Sequence, residues 1–235
     1  MDFEFIKEFS PMFVKAAILT IKLAFLGISI SIIIGLFIAW IKAHRFILLS
    51  RVCDIYIEIS RNTPLLIQLF FLYFALPKLG LKLDGFECAV IGLSFLGGSY
   101  MAESFRLGFE AVEKAQVEAG LSLGLSKNQV IFYVILPQAF RISLASISAN
   151  IIFLIKETSV VSVVALADLV YAAKDIMGIY YMTNEALFML VISYLIIILP
   201  ISLALTLLEK RLSYVWCHTK WNKFFTSYGW TLDYS

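Results

Sequence analysis

Residues 23–41 read LAFLGISISIIIGLFIAWI, 19 positions without a charge, and residues 186–208 read ALFMLVISYLIIILPISLALTLL, 23 more. A helix needs about 20 predominantly apolar residues to cross the hydrocarbon core of a bilayer, so each run is long enough to span one. Three weaker segments lie between them: 63–77 and 88–102, each of 15 uncharged residues, and 142–167, 26 residues interrupted only by Lys156 and Glu157. These reach spanning length only by drawing charged residues into the membrane zone. Such charges are tolerated where they face a bundle interior or a water-filled cavity, so the middle segments predict a shared polar interior. The pattern predicts an all-α membrane protein with five transmembrane helices, at about 16–41, 56–77, 86–108, 140–167 and 186–208.

Composition agrees. The chain is 61% hydrophobic and only 15% charged, against about 25% charged in a soluble domain. A formal net charge of +2 gives no polyanion-binding signal, which excludes nucleic acid as the expected partner. Cys53, Cys88 and Cys217 are widely spaced and form no CxxC, so neither a disulfide framework nor a metal site is expected. The first 15 residues, MDFEFIKEFSPMFVK, carry three acidic side chains and no basic n-region, and are expected to be retained. Lys and Arg distribute unequally across five spans. Eleven fall on the side of the 42–51, 106–141 and 210–223 segments and five on the other, with Lys22, Arg61 and Lys156 at or inside boundaries. The positive-inside rule then places the N-terminus outside and the C-terminus in the cytoplasm.

The longest polar interruption, about 105–141, is more than a connector. Glu110, Glu113, Lys114, Gln116 and Glu118 give one helical stretch, Gly120, Gly124 and Ser126 punctuate it, and Val130, Ile131, Val134 and Ile135 restart an apolar face before Pro137. Helix, tight turn, helix on the cytoplasmic face admits two readings: a short helix that docks in a groove on a soluble partner, or an amphipathic surface helix with none.

Glu118-Ala119-Gly120, three residues, Gly124, nine residues, then Val134-Ile135-Leu136-Pro137 closely resembles the EAA loop of ATP-binding-cassette importer permeases, with Gly120 and Val134 standing where that loop usually has Ala and Ile. RNTPLLIQLFFLYFALP from Arg61, GSYMAESFR from Gly98 and LIKETSVVS from Leu154 are similar to the matching segments of the family's polar amino acid branch (the histidine, glutamine and arginine type). The resemblance runs from about residue 12 to 212. It implies a type I importer permease in the bacterial inner membrane, with residues 1–212 as the permease domain and 213–235 as a cytoplasmic tail. Implied partners are two ATP-binding subunits, an extracytoplasmic amino acid-binding protein and a second permease subunit, either a homodimer copy or a paralogue. The loop of about 110–137, through Glu118, Ala119, Gly120, Gly124 and Pro137, would be the helix that sits in the ATPase groove. No cofactor is expected on this chain, and ATP and magnesium would be held by the partner.

The residues themselves fit that division of labour. No GxxxxGK[ST] is present. The two histidines, His44 and His218, lie outside the spans, and no HExxH or intramembrane aspartate pair suggests a hydrolase. For the substrate pathway, Lys156 and Glu157 offer opposite charges to a zwitterion's carboxylate and ammonium, with Thr158 and Ser159 supplying hydroxyls. Adjacent helical residues point about 100° apart, so one ligand meets both only if the helix breaks there; otherwise they form ion pairs with other helices or across a dimer. Glu103 and Arg106, at i and i+3, either pair or leave Glu103 on the pathway. Arg61 pairs with Glu58, snorkels or binds substrate. Gln68, seven residues on from Arg61 and hence on nearly the same face, and Asn150 bond either substrate or another helix. Eight aromatic residues after Leu212 suggest a tail lying on the lipid surface.

Overall fold

The computed structural model of the chain describes the backbone of residues 2–43 and 46–227, and the side chains of residues 2–42 and 46–212. The aromatic side chains of the 213–235 tail and both histidines therefore lie outside the described residues. Every regular element described is helical: α1 (Phe3–Ala43), α2 (Ile47–Asn62), α3 (Leu65–Phe70), α4 (Gly85–Glu110), α5 (Lys114–Ser122), α6 (Lys127–Val130), α7 (Leu136–Glu157), α8 (Leu169–Tyr180) and α9 (Thr183–Ser227). Short tight or wide turns extend α3 to Leu79, join α6 to α7 across Ile131–Ile135, and continue α7 through Thr158–Val164.

Among the described residues, four stretches are long and apolar enough to cross a membrane: Phe3–Lys42, Gly85–Glu110, Lys127–Val164 and Thr183–Leu212. Residues Ile47–Asn62 and Leu65–Leu79, whose axes meet at 101°, pass the same test only together, as a broken span or a re-entrant loop. Pro64 causes that bend. The residue before a proline is forced out of the helical region, and Thr63 accordingly sits at φ −112°, ψ 127°. The freed carbonyls at the end of α2 are taken up by side chains. Thr63 Oγ1 donates to Ile59 O at 2.7 Å, Asn62 Nδ2 to Glu58 O at 2.8 Å, and Gln68 Nε2 reaches back to Ser60 O at 3.2 Å and Thr63 O at 3.1 Å. The segment expected as one continuous helix at about 56–77 is thus broken at Thr63–Pro64.

Helix α4 is the central post, buried along most of its length between α1 and α7. Small residues let the three approach closely. A Cβ on Gly35 of α1 would stand 2.6 Å from Met101 Cβ and 2.9 Å from the backbone nitrogen of Ala102. With little hydrophobic driving force between helices inside lipid, such packing and interhelical hydroxyl bonds hold the bundle. Ser60 Oγ donates to Ser99 Oγ at 2.9 Å, and Ser104 and Ser146 Oγ lie 2.8 Å apart. By contrast α9 turns Leu187, Val191, Leu195, Ile196 and Leu203 outward, as a lipid-facing helix does.

The beginnings of α1 and α9 and the whole of α8 gather at one end of the bundle around Phe13, Ala16, Leu169 and Ile176. At that end Asp168, fully buried, caps α8 by accepting from Tyr171 N at 2.9 Å and Val170 N at 3.3 Å. Helices α5 and α6 occupy the stretch between the last turn of α4 and the first of α7, and so mark the other end.

Candidate functional site

A cavity of about 310 Å³ opens where the α2–α3 bend meets α4 and α7. Its walls are Leu65, Leu66, Leu96 and Val160, and its polar surface comes from Arg61, Asn62, Thr63, Tyr100 and Glu157, with Phe153 beside them. Leu96 and Tyr100 lie at mid-length of α4, so the cavity sits at mid-depth in the bundle. Its volume is in the range of small-molecule sites. Two larger clefts, of about 360 and 450 Å³, are lined almost wholly by apolar side chains and offer no opposed charges. Chemistry rather than size singles out the smaller one.

Two breaks in regular helix flank it. The Thr63–Pro64 bend puts the exposed Arg61 and Asn62 and the half-buried Thr63 on the cavity's rim. Phe153 and Glu157 are one turn apart on the last stretch of α7. That helix gives way immediately after Glu157 to the tight 3-10 segment Thr158–Val164, which ends at Ala165 in the left-handed region at φ 55°. Glu157 is half-buried, and among the described residues neither it nor Lys156 forms an ion pair.

The eight pathway residues expected from sequence separate cleanly. Arg61 and Glu157 line the cavity. Lys156 is exposed and outside it. Thr158 is fully buried, with its hydroxyl spent on Ile155 O at 2.7 Å, and Ser159 accepts the Ser162 hydroxyl at its carbonyl. Gln68 staples the bend, so the straight face it was expected to share with Arg61 does not exist. Asn150 Nδ2 bonds Ser104 Oγ at 2.8 Å and Tyr100 O at 3.3 Å, which ties α7 to α4.

Glu103 is the hub of an ion ladder on α4. Arg106 grips it with Nη2 at 2.7 Å and Nε at 3.1–3.2 Å, and extends Nη1 to Glu110 at 2.6 Å. Arg61 Nη1 stands 3.7 Å from the same carboxylate, too long for a hydrogen bond, while Glu58 bonds Asn62 instead. The Glu103–Arg106 pair matches the i, i+3 reading. Sequence reasoning missed Asn62, Thr63, Tyr100 and Phe153. The Asn-Thr-Pro run was the available signal for the bend; nothing local pointed to the two aromatics.

At the α5–α6 end, Gly124 has φ +82° and open space around it, so it serves the turn conformation. It closes α5, with Leu125 N donating to Gly120 O at 3.2 Å and Gly124 N to Leu121 O at 3.0 Å. Gly120 is buried, and a Cβ there would stand 3.2 Å from Val130 Cγ2. The two glycines set the angle between α5 and α6. Ser126 and Gln129 then cap α6 reciprocally, and Pro137 sits in the first turn of α7. Glu118, Ala119, Leu123, Phe132 and Tyr133 are exposed, with Leu123 at 83%. Glu118 thus stands on the same short stretch as uncovered apolar side chains.

Residues 31–214 match the family described as "Binding-protein-dependent transport system inner membrane component". The glutamine transport system permease protein GlnP of Escherichia coli (strain K12) is 34% identical over 204 residues, covering 86% of this chain and 93% of that protein. The L-cystine transport system permease protein TcyB of Bacillus subtilis (strain 168) is 35% identical over 211 residues, covering 88% of each. A crystal structure of an amino acid ABC transporter with histidines contains a chain that is 35% identical and superimposes with a TM-score of 0.85 over 90% of this chain and 99% of that one. The chain therefore belongs to the binding-protein-dependent transport system inner membrane components, as a multi-pass permease of the ABC transporters.

Proposed function

We propose that this chain forms the translocation pathway of an ATP-driven uptake system for a polar amino acid. The cavity at the α2–α3 bend is its substrate site, where Arg61 meets the carboxylate and Glu157 the ammonium. The observation that carries the reading is the placement of one cation and one half-buried, unpaired carboxylate on the wall of a single cavity at mid-depth. A zwitterion satisfies both at once. Thr63 and Asn62 supply polar contacts at the rim, and the apolar walls leave room for a side chain. That the relatives are glutamine and cystine permeases supports the class.

The remaining assignments complete the machine. ATP and its magnesium are bound by two separate ATPase subunits, an extracytoplasmic binding protein delivers the amino acid, and a second permease subunit closes the pathway. The Lys and Arg distribution supports a cytoplasmic position for the 110–137 loop, with the N-terminus outside. Glu118, Ala119, Gly120, Gly124 and Pro137 shape and present the α5–α6 surface to the ATPase, and closure of the ATPase pair moves the spans as rigid bodies. Lys156 is assigned to the surface that the second permease subunit covers.

The test is uptake into proteoliposomes holding the full complex, with ATP enclosed and loaded binding protein outside. Arg61→Leu and Glu157→Gln each remove a charge-assisted hydrogen bond, of about 1.5–3 kcal/mol, and are expected to lower uptake about 10- to 100-fold. Lys156→Ala is expected to retain it. Wild-type uptake by both cavity variants would refute the site.

A further inference from the structure

The guanidinium of Arg61 makes only a loose ion pair among the described residues, beyond hydrogen-bonding distance. Its ion-pair partner among the described residues, Glu103, is 3.7 Å away. What the guanidinium does touch is the face of Tyr100, 5.2 Å from the ring centroid and within the range of an attractive cation–π contact. Tyr100 in turn is fixed from two sides. Its ring leans on Phe153 at 5.2 Å and 53°, and its carbonyl accepts from Ser104 Oγ at 3.0 Å and Asn150 Nδ2 at 3.3 Å. Asn150, Phe153 and Glu157 follow one another at i, i+3 and i+7, one face of α7. The helix that presents the cavity's carboxylate thus also holds the ring on which its cation rests.

Resting on the reading of this cavity as the substrate site, we propose that Tyr100 is a positioning residue that keeps the Arg61 guanidinium on the cavity wall, facing the substrate carboxylate, and out of hydrogen-bonding reach of Glu103. The competition is built into α4. Glu103 lies one turn beyond Tyr100 and close enough to capture Arg61 after a shift of under about 1 Å, from 3.7 Å to hydrogen-bonding distance. A guanidinium so captured commits one or two of its five N–H donors to a fixed anion. A guanidinium over an aromatic face keeps its in-plane N–H groups free for a bidentate carboxylate.

The experiment measures equilibrium binding of a labelled amino acid to the purified permease–ATPase complex in nanodiscs, with no binding protein present. The probe is whichever of the twenty amino acids the wild-type complex takes up from an equimolar labelled mixture. Tyr100→Leu is expected to weaken binding about fivefold or more, and Tyr100→Phe, which keeps the ring, to stay within about twofold of wild type. Adding Glu103→Gln to Tyr100→Leu is expected to restore part of the loss, because it removes the anion that captures Arg61. A ring that merely filled space would show no such rescue. Should Tyr100→Leu not accumulate in membranes, Tyr100→Met replaces it at similar length. Binding lost in Arg61→Leu but unchanged in the folded Tyr100→Leu complex, or a loss in Tyr100→Leu that Glu103→Gln does not touch, would overturn the proposal alone. Wild-type affinity in Arg61→Leu, or no saturable binding by the wild type, would overturn the reading of the cavity and the proposal with it.

Discussion

The packing of α1 on α4 predicts that one substitution has opposite effects at two glycines. A Cβ at Gly35 would lie 2.6 Å from Met101 Cβ and 2.8 Å from the Met101 carbonyl carbon. Carbon atoms pack at about 3.5–4.0 Å, so Gly35→Ala must push the two helices apart by roughly 1 Å, against backbone that cannot swing aside. Overpacking of this kind costs about 1–3 kcal/mol, and the better helix propensity of alanine returns about 1 kcal/mol. The expected net loss is up to about 2 kcal/mol. At Gly178, in α8, nothing lies within 4 Å of the added carbon. There Gly178→Ala keeps only the propensity gain and should stabilise by about 0.5–1 kcal/mol. The assay is reversible unfolding in mixed micelles with increasing dodecyl sulfate, followed by circular dichroism. Equal stabilities for the two variants, or a Gly35→Ala protein more stable than Gly178→Ala, would refute the close contact of α1 and α4.

Other perturbations probe the remaining structure. Burial pushes the Asp168 carboxyl up from 3.8 to about 6, so the folded chain prefers it protonated. Its contribution to stability is complete below about pH 4 and is lost as pH rises through 6, by at most about 3 kcal/mol. Asp168→Asn keeps a helix-capping side chain without the charge, so its melting temperature relative to wild type should climb between pH 5 and 7.5; a constant difference would contradict the burial of an ionisable carboxyl. Gln68→Leu leaves the carbonyls of Ser60 and Thr63 without that donor at the bend beside Arg61. It should cost about 1 kcal/mol and lower substrate affinity together with stability, whereas unchanged uptake would show that the bend holds without its staple.

What could be read from sequence follows the range of the interaction. The uncharged runs at 23–41 and 186–208 fall inside α1 and α9, because membrane-spanning length is a property of consecutive residues. Glu103 and Arg106 were legible as a pair for the same reason: three residues apart on a helix, they meet regardless of the rest of the fold. Arg61 and Gln68 show where that logic stops. Seven residues apart, they share a face only on a straight helix, and Pro64 turns the chain through 101° between them. Lys156 and Glu157 looked equivalent as adjacent intramembrane charges, but the side of α7 that meets α4 admits only Glu157 to the cavity. Tyr100 and Phe153 carry no local signal, since an aromatic in a membrane helix reads as packing until its neighbours are known. In the 110–137 loop, the resemblance assigns Gly120 and Gly124 to the helix that would sit in the ATPase groove. The fold gives them a reason to be small, one packed on Val130 and the other turning at positive φ.

The account stands most directly on the link between the α5–α6 surface and a separate ATPase. The decisive measurement is to tag the chain, extract it gently from its native membranes with and without Glu118→Lys, and identify co-purifying proteins by mass spectrometry together with ATPase activity. The account predicts a P-loop ATPase with the wild-type chain that is lost from Glu118→Lys at equal membrane abundance. Retention of that ATPase by Glu118→Lys, or its absence from a folded wild-type preparation, would contradict it.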